Sequence, residues 1–314
     1  LTEAVCARCA LHCRGKSSCG VVDPERGDEA PWRALWLSVL RVEDVPLAHT
    51  CPGGAAARLM LAGSPWRCRL CSWRDYTDPR AVEQRELAPR ELSRLRVIEP
   101  SVFLLDGGEP LVQDWALQLP EILRREVPGL RYVLARTAGL LALDRLRQAH
   151  DMGFDGLVFE YLLAVEQVPR PDHVAEALRE AHRVFDIIEI HVPFDGSPRS
   201  QAVVGDLAER YPETPIHVLP AEGVEDKAYR LVEKLREKGR VYVYLYPDES
   251  YTLTDTLCNS CGSPLVSRKP WGIRVYAKEG DAEPRCPRCG APQPRLRLCR
   301  IKKRGALHRE VIIW

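Results

Sequence analysis

Nothing in this chain of 314 residues approaches the ~18 consecutive apolar positions that a membrane span requires. The opening LTEAVCARC has neither a basic lead nor an apolar signal core, so secretion is not expected and a cytoplasmic setting is. Charge of one sign is lacking too. With 45 Lys and Arg against 44 Asp and Glu, the net charge is +1, which gives no global pull toward nucleic acid or a membrane surface. Low-complexity tracts are absent, and the hydrophobic fraction of 45% is that of an ordinary soluble globular protein. Methionine occurs only twice, while arginine is heavily used and prolines punctuate the loops, a composition compatible with a thermophile.

What is present in quantity is cysteine, twelve in all. Ten fall into close groups: Cys6, Cys9, Cys13 and Cys19; Cys68 and Cys71; Cys258 and Cys261; Cys286 and Cys289. Pairs spaced Cys-x2-Cys in an intracellular chain point to metal rather than to a disulfide framework. Cys51 and Cys299 stand alone, and lone cysteines are more often small buried hydrophobes than ligands.

The C-terminal set carries the strongest signal. LCNSCGSPLV and RCPRCGAPQP each place a glycine after the second cysteine, so that backbone N–H groups can turn toward the sulfurs. Two such knuckles predict one closed tetrahedral zinc site of Cys258, Cys261, Cys286 and Cys289 that holds a small ribbon together; iron in the same thiolate cage is the alternative. The N-terminal run CARCALHCRGKSSCG offers Cys6, Cys9, Cys13 and Cys19, with His12 as a fifth donor. Zinc is the first expectation there and a [4Fe–4S] cluster the second.

Between these ends, short apolar runs alternate with amphipathic segments. The runs ARLMLAG (57–63), SVFLLDGG (101–108), RYVLART (131–137), GLVFEYL (156–162), DIIEIHVP (186–193), PIHVLPA (215–221) and RVYVYLY (240–246) read as buried parallel strands. DHVAEALREAHRVF and KAYRLVEKLREKG have helical spacing, and Pro120 should kink or reset a helix over DWALQLPEILRREV. Seven strands at most predict an α/β fold, a partial (β/α) TIM-type barrel, over residues 57–246. A cysteine-rich segment (1–56) and a zinc ribbon with a basic tail (247–314) flank it.

Two loops within the barrel carry chemistry. GSPWRCRLCSW (63–73) supplies Cys68 and Cys71, preceded at the right distance by Ser64. A cluster that activates S-adenosylmethionine takes three thiols spaced Cys-x3-Cys-x2-Cys, and a serine hydroxyl is a much poorer iron ligand than a thiolate. FLLDGGEP ends the next strand with Gly107, Gly108, Glu109 and Pro110, where glycines allow close approach and Glu109 can hold the amino group of a methionine. Glu160, Glu189, Asp195, His191 and His217 lie near strand ends, and none is assigned a catalytic role.

With these pieces placed, the chain resembles the radical S-adenosylmethionine enzymes of the AmmeMemoRadiSam system, relatives of the pyruvate formate-lyase-activating enzymes. The N-terminal cysteine run followed by Gly20 and Val21, PLAHTCPGG ahead of the 63–71 loop, HVLPAEG, VYVYLYP and the two knuckles carry the likeness. It implies a radical-SAM barrel with its site at the C-terminal strand ends, a [4Fe–4S] cluster with S-adenosylmethionine, and a Memo-like partner protein. Ser64 stands in place of the first cluster cysteine. Three functions are therefore open. One is a degenerate member, a zinc-bearing binding or scaffold protein with an RNA or ribonucleoprotein partner on the tail RLRLCRIKKRGALHREVIIW; a solvated terminal strand pair is the blander reading of that tail. Another is an active enzyme whose cluster uses a non-standard third ligand, Ser64 or a thiol from the N-terminal segment, and the third is a barrel that binds S-adenosylmethionine or a nucleotide without cleaving it.

Overall fold

The computed structural model describes residues 7–12, 19–20, 33–71, 74–76, 78–248, 250–280, 283–299 and 311–312. Cys6, Cys13 and most of the basic tail lie outside the described residues.

In chain order the strands are β1 (Arg33–Ala34), β2 (Trp36–Arg41), β3 (Ala55–Met60), β4 (Arg85–Glu86), β5 (Val102–Asp106), β6 (Tyr132–Thr137) and β7 (Gly156–Glu160). They continue with β8 (Ile187–Phe194), β9 (Ile216–Pro220), β10 (Val243–Leu245), β11 (Thr256–Leu257), β12 (Pro264–Lys269), β13 (Gly272–Val275) and β14 (Val311–Ile312). Helices α1 (Leu119–Glu126), α2 (Leu143–Asp151), α3 (Pro171–Val184), α4 (Pro198–Arg210) and α5 (Glu225–Glu237) alternate with β5 to β10. Among the described residues nine strands form one sheet in the order β10-β9-β8-β7-β6-β5-β3-β2-β14, with β3 and β5 to β10 parallel, β2 antiparallel to β3, and β14 antiparallel to β2. Among the described residues the sheet does not close on itself, so the fold is an open, barrel-like α/β arrangement. No described helix is long and apolar enough to cross a membrane.

Local chemistry explains the elements. Every residue of β5 and β8 is buried; β5 accordingly runs apolar up to Asp106, while β8 carries two buried polar side chains, Glu189 and His191, on alternate positions. Pro120 falls in the first turn of α1, where its missing N–H costs nothing, and a short 3-10 turn (Trp115–Gln118) precedes it. The expected helix over 114–127 is thus reset at the proline. Ser197 caps α4 by accepting from Ser200 N at 3.1 Å.

The two faces of the sheet are packed differently. Phe103, Leu105, Val133, Ala135, Leu157 and Phe159 share one cluster with the helices. On the other face Val102, Leu104, Leu134, Val158 and Ile187 meet Leu40, Val42, Val45, Leu47 and Cys51. The connection between β2 and β3 therefore fills the inside of the barrel. Glu189 anchors it: its carboxylate accepts from Ala48 N (3.0 Å), His49 N (2.9 Å), Thr50 Oγ1 (3.1 Å) and His217 Nε2 (2.7 Å). Four donors satisfy a carboxylate that is 1% exposed, as a buried charge requires.

The C-terminal unit is a three-stranded sheet, β11-β12-β13, that docks on the barrel. Arg268 of β12 donates to Ala48 O (2.6 Å) and Thr254 O (2.8 Å), and Tyr242 donates to Gln293 Oε1 (2.8 Å). Cys51 and Cys299, read from sequence as isolated apolar cysteines, are joined as a disulfide. The bond links the filling segment to the end of the ribbon, beside Arg297 N donating to His49 O at 2.7 Å.

Candidate functional site

The four-thiol set comes together as its spacing implied. The ligand atoms of Cys258, Cys261, Cys286 and Cys289 all lie within 4.8 Å of one another, with Cys258–Cys289 and Cys261–Cys286 sulfur separations of 3.7 Å. Four thiolates at about 2.3 Å around a tetrahedral zinc ion would stand about 3.8 Å apart, so the donor set fits such an ion. The two knuckles repeat one backbone pattern. Gly262 N donates to Cys258 O (2.9 Å) and Cys258 N to Ser263 O (2.8 Å); Gly290 N donates to Cys286 O (3.0 Å) and Cys286 N to Ala291 O (2.9 Å). Both glycines have positive φ, +69° and +74°, which favours glycine there.

Of the N-terminal set, Cys9 and Cys19 are described and both are buried. The stretch around Cys9 docks against the loop after β6, with Ala10 N donating to Leu140 O at 2.8 Å and Ala142 N to Arg8 O at 3.1 Å.

At the C-terminal ends of the strands, the 63–71 loop and the Gly107–Pro110 turn lie against each other. Leu61 N donates to Asp106 O and Glu109 N to Gly63 O, both at 2.9 Å. A Cβ on Gly107 would stand 2.4 Å from Leu61 O, and one on Gly108 2.1 Å from Gly63 O. The double glycine is thus required by the neighbouring loop's backbone. Pro110 opens a buried 3-10 turn (Pro110–Val112).

Ser64 is engaged in its own turn. Its hydroxyl donates to Trp66 O at 2.7 Å and accepts from Trp66 N at 3.3 Å. Cys68 is buried and Cys71 half-buried. A hydrogen bond with Cys71, together with burial, pushes the Cys68 thiol up. Among the described residues, no third His, Cys, Asp or Glu joins these two thiols as closely as the four C-terminal thiols approach one another. The described residues thus bring two thiols to this loop, one fewer than the Cys-x3-Cys-x2-Cys arrangement supplies.

Near the loop lies a row of polar groups in which His191, Glu160 and Asp195 were expected at strand ends, while Arg136 and Asp106 were not singled out from sequence. Arg136 of β6 is paired with Asp106 at 2.5 Å, and its Nη1 lies 3.1 Å from His191 Nδ1. Arginine has no acceptor, so Nδ1 must accept, and Nε2–H then donates to Pro46 O at 2.7 Å. That fixes His191 as a neutral ring, in line with burial, then Arg136, holding its pKa well below the ordinary value. The available signal was a lone arginine inside an otherwise apolar strand. Glu160 sits in the same mouth, its pKa raised by burial against the opposing pull of Arg136. Asp195 meets Arg69 at 3.3 Å and so ties the 63–71 loop to the loop after β8.

Glu109 is the anomaly. It is 1% exposed, its Oε2 accepts from Ala138 N at 3.0 Å, and its Oε1 is buried with no hydrogen-bond partner. Burial pushes this carboxyl up to about 7. Deeper in, His49 bonds Tyr244 Oη at 2.8 Å, and burial lowers the ring to about 3. A separate cavity of about 260 Å³ opens between the 41–48 segment, the end of β10 and β12, with Glu43, Tyr244, Tyr246 and Arg268 among its walls.

No family model matches the chain, and no curated protein matches it. Among solved structures it is similar to QueE from Escherichia coli, at 14% identity and a TM-score of 0.42, over 66% of this chain and 90% of that one. A likeness that loose decides neither fold nor activity.

Proposed function

We propose that this chain is a radical-SAM-like barrel that no longer cleaves S-adenosylmethionine and works as a binding or scaffold protein, with a zinc ion held by Cys258, Cys261, Cys286 and Cys289. One observation carries the reading: where a third thiol would stand, the Ser64 hydroxyl donates its proton to Trp66 O within its own turn, so the loop itself supplies two thiols, Cys68 and Cys71. The Arg136–Asp106–His191 row and the packed Gly107–Gly108 backbone support it, since both take up room at the strand ends. The zinc site supplies structure, fixing the ribbon by four thiolates, and Gly262 and Gly290 shape the backbone that presents them. The Memo-like partner implied by the resemblance belongs to the same binding role.

A second reading, an active enzyme, is favoured by the unpartnered Glu109 Oε1, a buried acceptor suited to an ammonium group. Anaerobic reconstitution separates the two. The protein as it stands should take up less than one iron–sulfur cluster and produce no 5′-deoxyadenosine, while Ser64→Cys should gain iron and sulfide. A full cluster with cofactor cleavage in the unaltered chain would establish the second reading instead.

A further inference from the structure

The ribbon exposes a surface that its fold does not need. Trp271, at the turn between β12 and β13, is 85% exposed, and Val275 and Tyr276 are each 38% exposed. An indole left in water at that level contributes nothing to the ribbon's own core, which is Cys258, Leu265, Val266, Cys286 and Leu296. Arg274 of β13 and Tyr276, the residue just past its end, stand two residues apart and are both exposed. Lys278, Arg285 and Arg288 are exposed on the strand end and second knuckle that follow. Because β13 is the edge of its sheet, this face is also unpaired on one side.

The charge is local. Residues 264–299 hold eight Lys and Arg against three Asp and Glu, in a chain whose total is +1. The excess is therefore gathered on the ribbon and not spread over the barrel. Positive side chains interleaved with exposed aromatic rings are the chemistry of single-stranded nucleic acid binding. Bases stack on the rings and phosphates meet the cations, and neither contact needs a particular base. A folded protein partner would ask for a larger apolar patch than one tryptophan, one tyrosine and one valine.

We infer that the β12–β13 hairpin binds single-stranded nucleic acid, with Trp271 and Tyr276 as stacking platforms and Arg274, Lys278 and Arg288 as phosphate contacts. The inference gives a partner class to the binding role proposed above. It stands on the ribbon surface, so its failure would leave the cluster-loop result untouched.

The test is fluorescence anisotropy of a labelled oligouridylate of about 12 nucleotides, long enough to cover a typical site, against the full zinc-loaded chain. Saturable binding is expected, with affinity falling as salt rises from about 50 to 200 mM. Trp271→Ala should weaken it about tenfold, within the range of one lost stacking contact, whereas Trp271→Phe should restore most of it. Arg274→Gln should lower the magnitude of the log–log salt slope by about 0.7, one phosphate's worth on a single strand. Both positions are exposed, so melting temperatures should not change. Absence of saturable binding at low salt, tighter binding to a duplex of the same length, or indifference to Trp271→Ala would each overturn the inference.

Discussion

At the scale of single residues, the proposed loss of cluster chemistry turns on one atom, the Ser64 oxygen in a loop that also holds Cys68 and Cys71. That Ser64 stands where a thiol would serve is plain from the spacing of Cys68 and Cys71. That its hydroxyl is spent on Trp66 is a matter of loop conformation, which no spacing reports. Glu109 was equally half-visible. Its place after two glycines marks it, but its hold on Ala138 N and its orphaned Oε1 come from how β5 and β6 end side by side. With a folded pKa of about 7 against an ordinary value of 4.5, Glu109 binds a proton in the native state that the unfolded chain releases. Its contribution to stability is therefore full below about pH 4.5 and is lost as pH rises through 7. Glu109→Gln, which keeps an acceptor for Ala138 N and carries no charge, should match the parent's melting temperature near pH 5. Above pH 8 it should exceed the parent by an amount on the order of 2–3 kcal/mol. Melting curves across that range check it, and a difference independent of pH would show that Glu109 is not charged at the cost described.

At the scale of elements, the parallel strands were legible because burial on both faces leaves a run of apolar residues with sharp ends. All seven expected runs became β3 and β5 to β10, and Pro120 marked the start of α1. The connection over 42–51 was not legible. It has no periodicity, and its place inside the barrel depends on Glu189 of β8 reaching Ala48 and His49 some 140 residues away in sequence. The Gly107–Gly108 pair was read as room for a ligand, yet the same freedom serves the backbone of residues 61–63. Gly108→Ala combines φ +54° with a contact at 2.1 Å to Gly63 O, so it should destabilise by several kcal/mol and lower the melting temperature by about 5 °C or more. Gly205→Ala, within α4 and with nothing within 4 Å of its new Cβ, should stabilise by about 0.5–1 kcal/mol. Equal effects in calorimetry would mean that the two strand-end loops do not pack as described.

At the scale of the whole molecule, the ribbon is coupled to the barrel through the very segment that fills the barrel. Arg268 meets Ala48 O, Arg297 N meets His49 O, and Cys51 is bonded to Cys299, so three separate ties converge on residues 48–51. The knuckles alone gave the metal set from sequence, since ligand spacing is local. The docking was hidden because it depends on a cysteine pair 248 residues apart and on one arginine among many. If four thiolates hold β11–β13 in shape, losing the ion should loosen Arg268 and with it the filling segment, and not the ribbon alone. Cys286→Ser should therefore remove about one zinc equivalent as measured by elemental analysis. It should also lower the melting temperature of the barrel's helical signal by about 5 °C or more, the shift expected for a loss of a few kcal/mol in a domain of this size. A variant that lost its zinc but kept the parent's helical melting curve would mean that the ribbon is a passive appendage. The ties at residues 48–51 would then carry no stability from the metal centre to the barrel.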